Sequence, residues 1–338
     1  MRDLIGSDPR HPYVRYECRY ELAQLLDRRE EIDEAMKWLV EAKQMVRGLA
    51  DVEVLFQRYD REAEAARQFA SSQPTNVLGG WSKQFPETRR EAIPRLAFLG
   101  GHPRSGTTLL EQILDAHPGV AALDEPTAFT DVIEPDFHTT ANLSIARLNV
   151  LRRRYIRALR EESGVDGSDK VLIDKNPSPT ARLPVWLRVF PELRVIIALR
   201  DPRDVVLSCY FQNILLNPTN VNFLSFERLA KHYADLMEVW LAVRAWDGLD
   251  CLETRYEDLV THLEREGRRV TEFLGLSWEH DQARFYEKSL TKQFYSPTYR
   301  DVTRPVYTFS VGRWRAYEKY LVPILPVLES YCRRFGYA

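Results

Sequence analysis

The stretch Leu96-Ala97-Phe98-Leu99-Gly100-Gly101-His102-Pro103-Arg104-Ser105-Gly106-Thr107-Thr108-Leu109-Leu110 joins an apolar run to a loop of Gly, Pro and Ser, then to an amphipathic run. A strand that turns through such a loop into a helix makes an anion cradle. The first N–H groups of the helix lack intrahelical acceptors, and the helix dipole favours negative charge beside them. Gly101 and Gly106 let the backbone approach an oxyanion closely. Their spacing is that of a Walker A loop, yet Thr107 stands where a nucleoside triphosphatase has its phosphate-clamping lysine. The cation lies inside the loop instead, as Arg104, whose guanidinium can fork two oxygens of a phosphate or sulfate. The alternative is an ordinary strand-to-helix turn.

A second element begins at the continuous apolar run Val195-Ile196-Ile197-Ala198-Leu199, the pattern of a buried parallel strand. It ends in Arg200-Asp201-Pro202-Arg203-Asp204 and passes into Val205-Val206-Leu207-Ser208. Arg200 then sits at the carboxyl edge of the sheet, where open α/β folds bind ligands, and Ser208 lies on the following helix. An arginine and a hydroxyl there can hold a second phosphate. A structural ion pair between Arg200 and Asp201 is the competing account.

These loops need a scaffold. Short apolar runs at 96–100, 171–173, 194–199 and 250–254 read as strands. Helical spacing appears at 107–116, 145–162, 181–190, 205–216, 226–245 and 261–273. The alternation predicts an α/β fold with a P-loop-like parallel sheet flanked by helices. Upstream, residues 20–46 carry apolar positions at helical spacing, broken by Asp27-Arg28-Arg29-Glu30-Glu31, which predicts two helices and a short turn. Ala23, Ala35 and Ala42 fall on the small-residue positions of a tetratricopeptide repeat spanning about residues 16–49, with Glu30 where the turn usually has Gly. A third helix is expected at 52–69 and a linker at 71–80. The expected division is a helical tetratricopeptide-like segment over 1–75 and a catalytic domain over 95–338.

The 338 residues carry a formal net charge of −2, so there is no global basic field to hold nucleic acid. No stretch reaches the roughly 18 apolar residues of a membrane span, and the N-terminus lacks the basic and apolar regions of a secretory signal. Cys18, Cys209, Cys251 and Cys332 are far apart, which suggests neither a zinc site nor a disulfide framework. A cytoplasmic location is the simplest reading.

Together the two anion-binding elements resemble those of the sulfotransferases that use 3′-phosphoadenosine 5′-phosphosulfate (PAPS). Pro103-Arg104-Ser105-Gly106-Thr107-Thr108 looks like their 5′-phosphosulfate loop, and Arg200 to Ser208 like their 3′-phosphate element. The run from Pro103 to Pro118 is most similar to the bacterial tetratricopeptide-containing branch and resembles the tyrosylprotein sulfotransferases. The resemblance implies a sulfotransferase fold over about residue 96 to the C-terminus. It implies that Arg104, Ser105, Gly106, Thr107 and Thr108 hold the 5′-phosphosulfate. Arg200 and Ser208 would hold the 3′-phosphate, Tyr256 would contact the nucleotide, and Arg313 in a late basic loop would lie near the 3′-phosphate.

Sulfuryl transfer to a hydroxyl is an in-line displacement that needs a base and charge stabilisation on the bridging oxygen. On the resemblance the base is Glu125, with Asp124 as a helper. Lys175, in Ile173-Asp174-Lys175-Asn176-Pro177, would stabilise the sulfuryl group and leaving phosphate, with Arg104 beside it and Thr298 assisting. Ser296 is an alternative to Thr298, and His117 competes with Glu125, although a His at a helix end is more often a cap. A solvated carboxylate at 125, a solvated lysine at 175 and a packed tyrosine at 256 are the structural alternatives. No metal is expected. The acceptor would be a hydroxyl on a small molecule, sugar or peptide tyrosine, with 3′-phosphoadenosine 5′-phosphate (PAP) as the other product. The competing functions are a P-loop kinase or NTPase, disfavoured by Thr107, and a tetratricopeptide interaction protein, disfavoured by the single repeat.

Overall fold

The computed structural model describes residues 12–85, 95–134, 143–164, 170–213, 215–289 and 302–337. Along the chain run α1 (Pro12–Asp27), α2 (Ile32–Arg47), α3 (Val52–Ser72), β1 (Leu96–Gly101), α4 (Thr107–Asp115), β2 (Val120–Asp124), α5 (Ile145–Ser163), β3 (Val171–Lys175), α6 (Leu183–Val189), β4 (Arg194–Leu199), α7 (Pro202–Tyr210), α8 (Phe226–Arg244), β5 (Cys251–Arg255), α9 (Tyr256–Thr261), α10 (Leu263–Phe273) and α11 (Leu325–Phe335). Two compact units emerge. One comprises Ala66–Arg200 and Leu236–Thr308; the other comprises Met1–Ala65, Asp201–Asp235 and Phe309–Ala338.

The first unit is built on a five-stranded sheet of order β2-β3-β1-β4-β5, parallel at every pairing. Its strands are short and apolar because both faces are covered. Ala97, Leu99, Val120, Ala122, Val171, Ile173, Ile196 and Ala198 pack on Leu110, Ile113 and Leu114 of α4, on Val270 of α10 and on Leu274 just beyond it. On the opposite face Phe98 meets Trp186 of α6, with ring centroids 4.4 Å apart, and Trp186 meets Phe129 at 4.0 Å. The chain leaves β1 toward β2 and β3 on one side, then crosses to β4 and β5 on the other. The loop after β1 therefore lies at the topological switch point of the sheet.

The expected parallel sheet flanked by helices is present, and so is a helical N-terminal segment. Three local expectations need correction. Strand β2 was not anticipated: Val120-Ala121-Ala122-Leu123 is short and alanine-rich, and its strand character comes from pairing with β3. The expected linker at 71–80 contains the start of a short helix, Val77–Ser82, and α3 runs on to Ser72. Helix α7 starts at Pro202, capped by the Asp201 side chain accepting from Arg203 N, and ends at Tyr210 rather than 216.

In the second unit α1 and α2 form the hairpin. Ala23, Ala35 and Ala42 are fully buried, which permits close helix packing. The turn brings Glu30 to φ 62°, the left-handed region. Arg228 of α8 grips Asp60 of α3 through both terminal nitrogens at 3.1 and 3.0 Å, and the Tyr59 hydroxyl donates to Asp235 at 3.2 Å. No described helix is long and apolar enough to cross a membrane.

Candidate active site

Each of the five strands delivers a candidate residue at its carboxyl end. Beyond β1 comes the 102–106 loop. At the ends of β2 and β3 stand Asp124-Glu125 and Lys175; after β4 and β5 come Arg200 and Tyr256. Parallel pairing puts all five ends on one edge of the sheet.

The loop after β1 is shaped by contacts that exclude side chains. A Cβ at Gly101, whose φ is +133°, would lie 2.3 Å from the Ala198 carbonyl oxygen on β4. At Gly106, φ +93°, it would lie 2.7 Å from the Tyr256 ring. Gly106 is the N-cap of α4, and Ser105, Thr107 and Thr108 are buried around the turn. The Ser105 hydroxyl is buried with no hydrogen-bond partner among the described residues. Arg104 adopts φ 72°, a strained conformation for a side-chain-bearing residue. His102 is fully buried and bonds the Pro103 carbonyl through Nδ1. Burial pulls its pKa down to about 4, so the ring is neutral.

At the next strand ends an ammonium meets two carboxylates. Asp124 and Lys175 are register partners across β2 and β3, so their side chains rise on the same face. They form an ion pair in which Lys175 is fully buried and Asp124 nearly so. Backbone pairing continues one residue further, Glu125 N donating to the Lys175 carbonyl at 2.8 Å. Then φ 55° at Glu125 turns the chain, and Lys175 Nζ donates to Glu125 Oε1 at 3.0 Å. Glu125 keeps 42% of its side chain exposed, so this carboxylate alone of the pair opens to solvent. Burial disfavours the Lys175 charge, but Glu125 and Asp124 outweigh it and hold the pKa above the ordinary lysine value.

Arg200 is buried. It donates to the Arg104 carbonyl at 3.2 Å and lies over the Tyr256 ring at 4.8 Å. Arg200, the phosphate loop and Tyr256 are thus brought together. Asp201 receives both ends of the Arg203 guanidinium at 2.9 and 2.7 Å.

Ser208 and Arg313 belong to the other unit, where Asp204 links their elements. Asp204, one turn before Ser208 on α7, accepts from Gly312 N and Trp314 N at 2.7 Å each. Arg313 itself is forked onto Asp27 at 3.1 and 2.9 Å. Thr298 and Ser296 lie outside the described residues. His117 is engaged structurally: its Nδ1 accepts from Gly119 N at 2.8 Å and its Nε2 donates to the Ser277 carbonyl at 2.9 Å.

Sequence reasoning missed three supports. Asn176 ties the β1 and β2 ends together, its N–H donating to the Leu99 carbonyl at 3.0 Å and its amide to the Pro126 carbonyl at 3.3 Å. The Thr180 hydroxyl both accepts from Gly101 N at 2.9 Å and donates to Gly101 O at 3.1 Å, closing the end of β1. Asp204 carries no signal except its place in the Arg-Asp-Pro-Arg-Asp run.

A family model described as the Sulfotransferase family matches residues 96–280. An uncharacterized protein of Aquifex aeolicus is 25% identical over 98% of this chain and 43% of its own length. Protein-tyrosine sulfotransferase A of Caenorhabditis elegans is 27% identical over 58% of this chain and 53% of its own. The chain thus spans about half the length of these curated relatives. Among solved structures, the sulfotransferase domain of the Synechococcus PCC 7002 olefin synthase superposes with a TM-score of 0.50 at 18% identity, covering 71% of this chain and 95% of that one. The match of the family model over more than half of the sequence, on a sheet of the same fold, makes this chain a member of the Sulfotransferase family.

Proposed function

We propose that the protein transfers a sulfuryl group from PAPS to an acceptor hydroxyl, leaving PAP. The observation that carries this reading is the meeting of an anion-shaped loop, a buried arginine and a lysine–glutamate pair along one edge of the sheet. The loop fits the donor's phosphosulfate: the unpartnered Ser105 hydroxyl and the side-chain-free surface at Gly106 accommodate an oxyanion. Arg104, Ser105, Gly106, Thr107 and Thr108 would hold that end. Tyr256 would contact the nucleotide, with Arg200, Ser208 and Arg313 serving the 3′-phosphate.

PAPS supplies an activated sulfuryl group on a phosphate leaving group. In the proposed mechanism Glu125 takes the acceptor's hydroxyl proton as the new O–S bond forms. Lys175 faces the charge that builds on the breaking bridge and stays protonated. Asp124 is the second carboxylate beside Lys175, so the ammonium keeps an ion-pair partner when Glu125 takes the proton. Thr298 would assist Lys175. The relatives named protein-tyrosine sulfotransferases support a phenolic hydroxyl as the acceptor.

The test is calorimetric titration with PAP, with ATP and AMP as controls, followed by transfer assays with PAPS and phenolic acceptors. The reading expects PAP to bind selectively, Arg104→Ala and Arg200→Ala to abolish binding, and Glu125→Ala to lower kcat about 10²–10⁴-fold with PAP affinity retained. Equal binding of ATP, or none of PAP, overturns the donor assignment. Full activity in Glu125→Ala overturns the base.

A further inference from the structure

The N-terminal hairpin ends its first helix on a carboxylate that the transfer reaction has not used. Asp27, the last residue of α1, accepts Arg313 Nε at 3.1 Å on one oxygen and Nη2 at 2.9 Å on the other. The Tyr317 hydroxyl donates to the same carboxylate at 2.6 Å. Phe211, just after α7, lies 4.3 Å beneath the guanidinium. Tyr317 is fully buried, and burial followed by its bond to Asp27 pushes its pKa up. A planar guanidinium forked on one edge and stacked on one face has few orientations left. The fork takes the Nε–Nη2 edge of the guanidinium.

The loop carrying Arg313 is fixed as firmly at its backbone. Gly312, at φ 69°, and Trp314 both donate to Asp204, which is buried. Asp204 therefore sets the height of the loop over α7, while Asp27 sets the direction of the side chain. A second clasp follows: Asp33, at the start of α2, holds Lys319 at 2.6 Å and the Tyr320 hydroxyl at 2.7 Å. Both carboxylates flank the hairpin turn, so the turn seats on the segment that contains the arginine.

We propose that Asp27 is a positioning residue for Arg313. This rests on the reading of Arg313 as a 3′-phosphate ligand. Arg313 meets the 3′-phosphate in an orientation set before the nucleotide arrives, and the ordering is not charged against binding. Asp27 touches no substrate and acts only through the guanidinium.

The test compares PAP with AMP, which lacks the 3′-phosphate, by calorimetry on the full chain. The readout is the ratio of the two affinities, which a loss of fold or a general loosening of the 5′-loop does not move selectively. Asp27→Asn removes the charge and keeps the size. It is expected to lower the PAP/AMP ratio about tenfold, and Asp27→Glu to restore much of it. Arg313→Ala is expected to lower the ratio further, and the double variant to match Arg313→Ala alone, since Asp27 has no other route to the phosphate. Tyr317→Phe removes one bond to Asp27 without altering charge and is expected to give a smaller drop. An unchanged ratio in Asp27→Asn, an additive double variant, or tighter PAP binding in Asp27→Asn each overturns the proposal. An unchanged ratio in Arg313→Ala instead overturns the premise that this arginine serves the 3′-phosphate, and the proposal falls with it.

Discussion

Lys175 and Asp124 stand opposite each other at the ends of neighbouring parallel strands, and the buried ammonium of one is ion-paired with the carboxylate of the other. The relationship is architectural, since strand register alone puts the two side chains on one face. A buried lysine pair is costly to desolvate and strongly destabilising to break. Its retention at the mouth of the sheet is better explained by control of charge than by stability.

Asp124→Asn isolates that control. With one carboxylate fewer, the Lys175 pKa falls from its raised value. An ammonium required for transfer is then lost at lower pH, so the alkaline limb of the kcat–pH profile moves to lower pH. PAP affinity at neutral pH changes little. A pH profile identical to that of the parent protein contradicts the role given to Asp124.

Gly101→Ala and Gly106→Ala separate two kinds of obstacle. At Gly101 the obstacle is the Ala198 carbonyl on β4, which cannot move without breaking the β1–β4 ladder. At Gly106 it is the edge of the Tyr256 ring, which can swing away. Gly101→Ala should therefore cost more in denaturant midpoint. Gly106→Ala should mainly weaken PAP binding, and Tyr256→Ala in the same chain should relieve the steric part but not the strain of the positive φ.

Glu30 offers a stabilising change. Its φ of 62° costs a side-chain-bearing residue about 1–2 kcal/mol, and glycine nothing. Glycine also loosens the unfolded chain, which offsets about 0.4–1 kcal/mol. Glu30→Gly should raise unfolding free energy by about 0.5–1 kcal/mol, read by urea denaturation. A loss of stability would mean that Glu30 makes a compensating contact in the turn.

The phosphate loop and the Arg200 strand were legible because Gly, Arg and continuous apolar runs are local signals, and each lies within some fifteen residues. The sheet order was not legible, because pairing is set by contacts far apart along the chain. Strand β2 escaped for the same reason: Val120-Ala121-Ala122-Leu123 has no period of its own, and β3 recruits it. Glu125 was reached only by resemblance, since nothing local marks a glutamate whose φ of 55° turns it back onto Lys175. The Asp27–Arg313 pair spans nearly the whole chain and carries no spacing signature.

Asp174 stands next to Lys175 but on the opposite face of β3, where the Tyr155 hydroxyl donates to it at 2.5 Å. Burial raises its pKa to about 7, although the Tyr155 bond works in the other direction. A carboxyl raised in the folded state binds its proton more tightly there than in the unfolded chain, where it titrates near 4. The resulting stabilisation is complete below about pH 4 and drains away as pH rises to about 7, above which no further loss occurs. Asp174→Asn keeps the acceptor for Tyr155 and removes the titration. The parent protein should therefore lose stability relative to Asp174→Asn between about pH 4 and pH 7, on the order of a few kcal/mol, and run parallel to it above. Denaturant unfolding of both proteins across that range gives the difference directly. Parallel curves throughout would mean that Asp174 is ionised in the fold and that Lys175, on the other face of the strand, compensates its charge.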